Sequence, residues 1–224
     1  LSGAGGDDLF TGYRRHFALM NEHWWTWLPS EIKNFLYKSS SKLNHNNFIF
    51  RRISKLFSGI NLEGDERLVN YFRWVRREDI QRLYSSEFST AIKNINSDSV
   101  MLNFLKSLPS NTNKLDRMLA LEQQFFLADH NLLYTDKMSM AAGVEVRVPF
   151  LDLELVEFAY NIPNQFKQNG TQGKWVLKKA LEDYLPHDVI YRPKSGFGAP
   201  LRGWIHNELR EMIGDLLSVK SIRN

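Results

Sequence analysis

Apolar residues recur at helical spacing through most of the chain. Leu9, Phe10, Tyr13, Phe17 and Met20 fall at steps of three and four, and Leu115, Met118 and Leu119 continue the same rhythm through Glu122 to Phe126. With Pro29 and the polar turns as stops, the spacing predicts helices over about 7–27, 30–43, 47–57, 64–76, 98–108, 112–129, 151–161, 173–185 and 200–218. One short piece has period two instead. Val144-Glu145-Val146-Arg147-Val148, closed by Pro149 and Phe150, reads as extended, with Glu145 and Arg147 on one face and neutralising each other. The fold class expected from pattern alone is mainly α. Turn-rich tracts at 39–66, 94–98 and 110–113 interrupt the helices, and the first is a candidate insertion or subdomain boundary.

Composition narrows the chemistry. The chain has 224 residues, 43% of them apolar, enough for one large or two small domains with a core. No run approaches the ~20 apolar residues of a membrane span, and Leu1 to Asp8 lacks the profile of a signal peptide, so a soluble, cytoplasmic protein with no membrane partner is expected. With zero cysteines, catalysis must come from oxygen and nitrogen groups. The charge of +4 suits an anionic ligand but is too small to call for nucleic acid. Fifteen Phe, eight Tyr and six Trp, including Trp24, Trp25, Trp27 and Trp74, are read as core and helix packing.

Three constellations stand out beside blander readings. Ser2-Gly3-Ala4-Gly5-Gly6-Asp7 is a glycine-rich loop feeding a helix start, where backbone can approach a ligand and a nucleotide fits; a plain loop is the commoner outcome of such a turn. Arg192-Pro193-Lys194-Ser195-Gly196-Phe197-Gly198 carries an ammonium on a turn-rich loop, either a phosphate-facing lid or a basic surface turn. Asp129, Asp136, Lys137, Glu145, Arg147 and Asp152 could position an amino acid or Mg²⁺, or could form internal ion pairs. Lys174 and Lys178 share a helix face, and the histidines, His16 among them, show no metal spacing, so no metal ligand set is assigned.

Taken in order, Leu1-Ser2-Gly3-Ala4-Gly5-Gly6-Asp7-Asp8-Leu9-Phe10-Thr11-Gly12-Tyr13, Thr135-Asp136-Lys137-Met138-Ser139-Met140-Ala141, Val144-Glu145-Val146-Arg147-Val148-Pro149-Phe150-Leu151-Asp152, Gly173-Lys174 and Arg192 to Gly198 resemble the glutamine-hydrolysing asparagine synthetases. The resemblance implies the C-terminal, helical part of an α/β ATP-pyrophosphatase synthetase domain of the adenine nucleotide alpha hydrolase type. Residues 1–224 would be that portion, with a variable insertion over about 20–110 and a motif-bearing core over about 112–205. The N-terminal glutaminase domain and the Ser-Gly-Gly-x-Asp-Ser pyrophosphate loop are not in this sequence, so this part alone is expected to be inactive.

The implied reaction uses ATP and Mg²⁺ to adenylate the aspartate side chain, and glutamine-derived ammonia then displaces AMP to give asparagine. Residue by residue, Ser2, Gly3, Gly5 and Asp7 match nucleotide-binding positions, and Lys194 matches the lysine that neutralises the phosphates. Asp129 matches an acid near the adenylate, while Asp136, Glu145, Arg147 and Lys174 are substrate-binding or structural. Ala4 stands where the family usually has Glu or Asp for forming the adenylate or orienting ammonia, Thr11 replaces a usual glycine and Asp8 a usual Glu. A methyl group cannot accept a proton. The alternatives are therefore an inactive or divergent homologue with a binding role or another amide product. A third and weaker one is an RNA-modifying relative, suggested by Arg14-Arg15, Arg51-Arg52, Arg73 and Arg76-Arg77. The resemblance leaves a homodimer open.

Overall fold

The computed structural model describes residues 1–44, 47–193 and 200–223, which form two units, one spanning Leu1–Leu181 and the other beginning at Glu182. The first unit is helical apart from one hairpin, as the mainly-α expectation required.

The long opening helix expected over 7–27 is instead three: α1 Gly6–Phe10, α2 Arg14–Met20 and α3 His23–Thr26. The break is at Thr11, left-handed at φ 66°, followed by Gly12. Apolar periodicity runs straight through this corner because the two sides serve different cores. Leu9 and Phe10 pack with Ala159 and Ile162, whereas Leu19 packs with Leu68, Leu105 and Met118.

Next come α4 Ser30–Ser41 and α5 Phe48–Phe57, close to expectation, the latter capped by Asn47, whose side chain accepts from the N–H of Ile49. α6 runs Gly64–Phe72, four residues short of the expected end, because Lys55 Nζ takes the carbonyls of Asn70 and Arg73 and closes the helix there. Two short helices that the sequence spacing missed follow, α7 Arg77–Gln81 and α8 Ser86–Ala91, and then α9 Ser99–Ser107.

The expected helix over 112–129 begins as α10 Lys114–Leu121, with Asn113 as its cap, but does not stop. It widens into a π-helical run over Glu122–Leu132 and continues as α11 Leu133–Ala141. Residues 144–148 form no strand; they lead into a 3₁₀ turn at Pro149–Leu151 and then α12 Leu153–Asn161, capped by Asp152. After α13 Asn164–Lys167, a hairpin pairs β1 Gln168–Asn169 with β2 Gln172–Gly173, antiparallel, and leads to α14 Trp175–Ala180, shorter than the 173–185 expected.

The larger core is mainly aliphatic. Leu105, Met118 and Leu121 are fully buried, and each is worth roughly 1.5–3 kcal/mol on removal from water. The aromatics do not fill it as expected: Phe104, Phe125 and Tyr71 lie half-buried at its margin, while Trp24, Trp27 and Trp74 are 69–73% exposed. Trp24 and Trp27 belong to or flank a four-residue helix, too short to bring indole rings onto the seam.

In the second unit, α15 His187–Ile190 is followed by α16 Leu201–His206, α17 Arg210–Leu216 and α18 Val219–Arg223, so the helix expected over 200–218 is broken near Asn207. His187 and Tyr191 pack ring to ring at 4.3 Å, and Tyr191 donates to Glu182 at 2.5 Å.

Candidate functional site

The glycine-rich opening segment is anchored at both ends. The N–H of Ser2 donates to Arg147 O at 2.8 Å, and the N–H of Ala4 to Ser2 Oγ at 3.3 Å, so the serine hydroxyl shapes its own turn. Gly5 is left-handed at φ 92°, and a Cβ there would lie 2.5 Å from Leu151 Cδ2; only glycine satisfies both demands. Gly5 and Gly6 are buried beneath Phe150 and Leu151, while a Cβ at Gly3 would meet open space. The first motif segment thus rests on the Arg147–Leu151 segment.

A second junction forms at the corner after α1. Lys174, itself left-handed at φ 56°, donates its N–H to Phe10 O at 2.9 Å and to Thr11 Oγ1 at 3.3 Å. Thr11 Oγ1 donates in turn to Lys167 O at 3.0 Å. These bonds bring Lys174 back over α1, where its Nζ lies 2.9 Å from Asp7 Oδ1. The Asp7 carboxylate packs so closely on Gly12 that a Cβ there would sit 1.7 Å from Oδ1. An acid and an ammonium therefore flank the glycine turn.

Beneath α1 lies a buried polar network that sequence reasoning missed. Glu122, fully buried, receives the Arg15 guanidinium through both carboxylate oxygens, and His16 Nε2 lies 3.0 Å from its Oε1. Arg15 also lies over the rings of Tyr13, Phe72 and Phe126 at 4.3–4.6 Å. Tyr13 OH faces the carboxylate of buried Asp8 at 3.3 Å and accepts from Asn131 Nδ2 at 3.0 Å. Burial, reinforced by the nearby Glu122 charge, pushes the Asp8 carboxyl up to about 6. Burial also raises the Tyr13 phenol and lowers the His16 imidazole. The only sequence signal was Asp8 beside Asp7; nothing in the spacing of His16 and Glu122 marks them as partners.

Of the residues singled out from sequence, Ser2, Gly3, Ala4, Gly5 and Asp7 share one loop, with Lys174 joined to it. Arg147 meets the loop through its carbonyl; its side chain pairs instead with Glu145 at 3.0 Å, both exposed, as the neutralisation reading had it. Lys178 follows Lys174 one helical turn on, and burial followed by the Lys174 charge lowers its ammonium. Asp129 is exposed on the π-helical run and Asp136 on α11. Lys194 lies outside the described residues. Arg15, Arg73, Arg76 and Arg77, grouped as a nucleic-acid signal, all engage carboxylates. Among the described residues, no group of three or more His, Asp or Glu side chains could hold a metal ion on its own.

Comparison with known proteins places the chain in a family. The sequence model of the asparagine synthase family matches residues 1–224. Asparagine synthetase [glutamine-hydrolyzing] 1 of Bacillus subtilis is 28% identical over 219 residues, covering 97% of this chain and 33% of the relative. Asparagine synthetase [glutamine-hydrolyzing] 3 of the same organism is 52% identical over 62 residues, 28% of this chain and 10% of the relative. The nodule asparagine synthetase [glutamine-hydrolyzing] of Pisum sativum is 38% identical over 85 residues, 34% of this chain and 14% of the relative. The chain spans about a third or less of the length of these relatives. No solved structure matches it.

Proposed function

Because this chain belongs to the asparagine synthase family, we propose that it is the C-terminal part of the synthetase region of an ATP-dependent amide ligase that makes asparagine. The observation that carries the reading is the junction of three separate motif segments around one turn: Ser2 to Asp7, Arg147 to Leu151, and Gly173-Lys174. A shared ligand explains why residues so distant in sequence meet at a glycine-lined, partly open loop.

In this reading an oxygen of the aspartate side-chain carboxylate attacks the α-phosphorus of ATP and pyrophosphate leaves; ammonia then attacks the acyl carbon and AMP leaves. Ser2 and Gly3 hold the nucleotide at the open edge of the turn. Lys174 and Lys194 offset the charge that builds on pyrophosphate, work suited to preorganised cations. Asp129 faces the amine or the ammonia. Asp7 supplies a carboxylate beside the turn, which fits Mg²⁺, an ion held by one or two carboxylates together with phosphate oxygens rather than by a full protein cage. Bound there, Mg²⁺ would polarise the phosphates. Glutamine enters as the ammonia source through a glutaminase domain of the full-length protein, as the names of the relatives suggest. No helix among the described residues is long and apolar enough to cross a membrane, and the proposed site of action is the cytoplasm.

Ala4 favours a second reading. A methyl group stands on the turn where an acid would serve the chemistry, which fits a homologue that has exchanged catalysis or its substrate for another role. ATP–pyrophosphate exchange on the full-length protein separates the two: aspartate-dependent exchange, lost in Lys194→Ala, supports the ligase, and no exchange with any amino acid supports the inactive homologue.

A further inference from the structure

Three arginines that the ligase reading leaves unused meet in one groove. Arg51 on α5 and Arg73 and Arg76 between α6 and α7 line a groove of about 230 Å³ together with Lys55 and the hydroxyls of Ser54 and Ser58. Asp79 is the one carboxylate in this lining. The ion pairs around it are cation-rich. Asp79 serves both Arg76, at 2.9 Å, and Arg82, at 3.6 Å, and Asp98 serves both Arg73 and Arg77. Four guanidinium groups thus share two carboxylates, and the Lys55 ammonium lies beside them.

The groove opens at a shared lip, Arg73-Trp74-Val75, onto a trough of about 890 Å³. The trough is walled by Ile80, Tyr84, Phe88 and Ile92, with Trp74 73% exposed at the lip and braced edge-on by His130 at 5.3 Å. The smaller groove has room for one phosphate, and the larger for a flat ring system and a sugar.

We propose that this joint groove binds a nucleoside phosphate, the phosphate among Arg51, Lys55, Arg73 and Arg76 and the base along Trp74, Tyr84 and Phe88. Guanidinium groups present forked donors that match phosphate oxygens, and base–aromatic stacking tolerates any base. The Lys55 ammonium agrees with this. Its tip is covered by the carbonyls of Asn70 and Arg73, and this burial, followed by the Arg73 charge, lowers it to about 8. The site is distinct from the glycine turn, and every lining residue lies in 51–98.

Photo-crosslinking of the full chain with 8-azido-AMP, mapped by peptide mass spectrometry, tests the assignment. Label is expected within 73–98, with AMP protecting strongly and inorganic phosphate weakly. The double variant Arg51→Gln, Arg76→Gln should lose at least ten-fold of that label while label on the Leu1–Asp8 peptide is unchanged. Trp74→Ala, which removes an exposed ring, should lose at least three-fold and stands in if the double variant melts early. Undiminished labelling of 73–98 in the variants, label confined to the opening loop, or protection by tRNA but not by AMP would each overturn the proposal.

Discussion

The imidazole of His16 is held in one tautomer by Glu122. Its Nδ1 accepts from the N–H of Gly12 at 3.1 Å, so the proton is on Nε2 and is donated to Glu122 Oε1 at 3.0 Å. The same carboxylate neutralises Arg15. Glu122→Gln would leave a largely buried guanidinium without a counter-charge, and about 3–5 kcal/mol of stability should be lost in urea unfolding. A loss below about 1 kcal/mol would show that water or aromatic faces already compensate Arg15.

Asp8 makes stability depend on pH in an unusual direction for an acid. Its carboxyl sits at about 6 against an ordinary 3.8, so the folded chain binds the proton more tightly than the unfolded one. Its contribution is complete below pH 3.8 and disappears as pH rises through 6, up to about 3 kcal/mol. Asp8→Asn keeps an acceptor for Tyr13 and should flatten this slope while raising the melting temperature at pH 8. His16 acts oppositely, since its lowered imidazole contributes above its ordinary 6.5 and loses that contribution as the pH falls. The difference between parent and Asp8→Asn isolates the carboxyl, and parallel curves for the two proteins would refute it.

Thr11 combines backbone strain with two hydrogen bonds. Thr11→Val keeps the strained left-handed backbone and loses the bonds to Lys167 O and from Lys174 N, so a loss of about 1–3 kcal/mol is expected. Thr11→Gly loses the same bonds but relieves strain of order 1 kcal/mol, and should be the milder change. Denaturant midpoints decide this: a valine variant as stable as the parent would show that the hydroxyl contributes nothing, and one more stable than the glycine variant would show that the corner is unstrained.

Lys174→Met should reduce aspartate-dependent ATP–pyrophosphate exchange at least ten-fold in the full-length protein with little change in melting temperature, because the ion pair with Asp7 is partly exposed. Unchanged exchange would confine Lys174 to a structural role.

The helical character and the starts of α1, α4, α5, α6, α9, α10, α12, α14 and α16 follow from spacing and turn chemistry, whereas the caps Asn47, Asn113 and Asp152 are visible only in the structure. The corner at Thr11 does not, because apolar spacing reports burial and cannot distinguish one core from two. The π-helical run and the two-residue strands are equally silent, because neither leaves an apolar period that a short stretch of sequence registers. Within the candidate site, the glycines and Asp7 were legible because conformational need and charge show locally. The Lys174 contact with Asp7 and the burial of Asp8, His16 and Glu122 depend on partners more than 100 residues away or on packing that no window contains.

The widened turns from Glu122 to Leu132 shift the angular phase of everything after them. At ordinary pitch, roughly 3.6 residues per turn, Asn131 would stand about 180° round the axis from Glu122, whereas the wider turns let Glu122 reach Arg15, Phe126 pack on Arg15 and Asn131 reach Tyr13. Shortening the run by one residue would therefore pull these partners out of line, so its length is tied to the corner it braces.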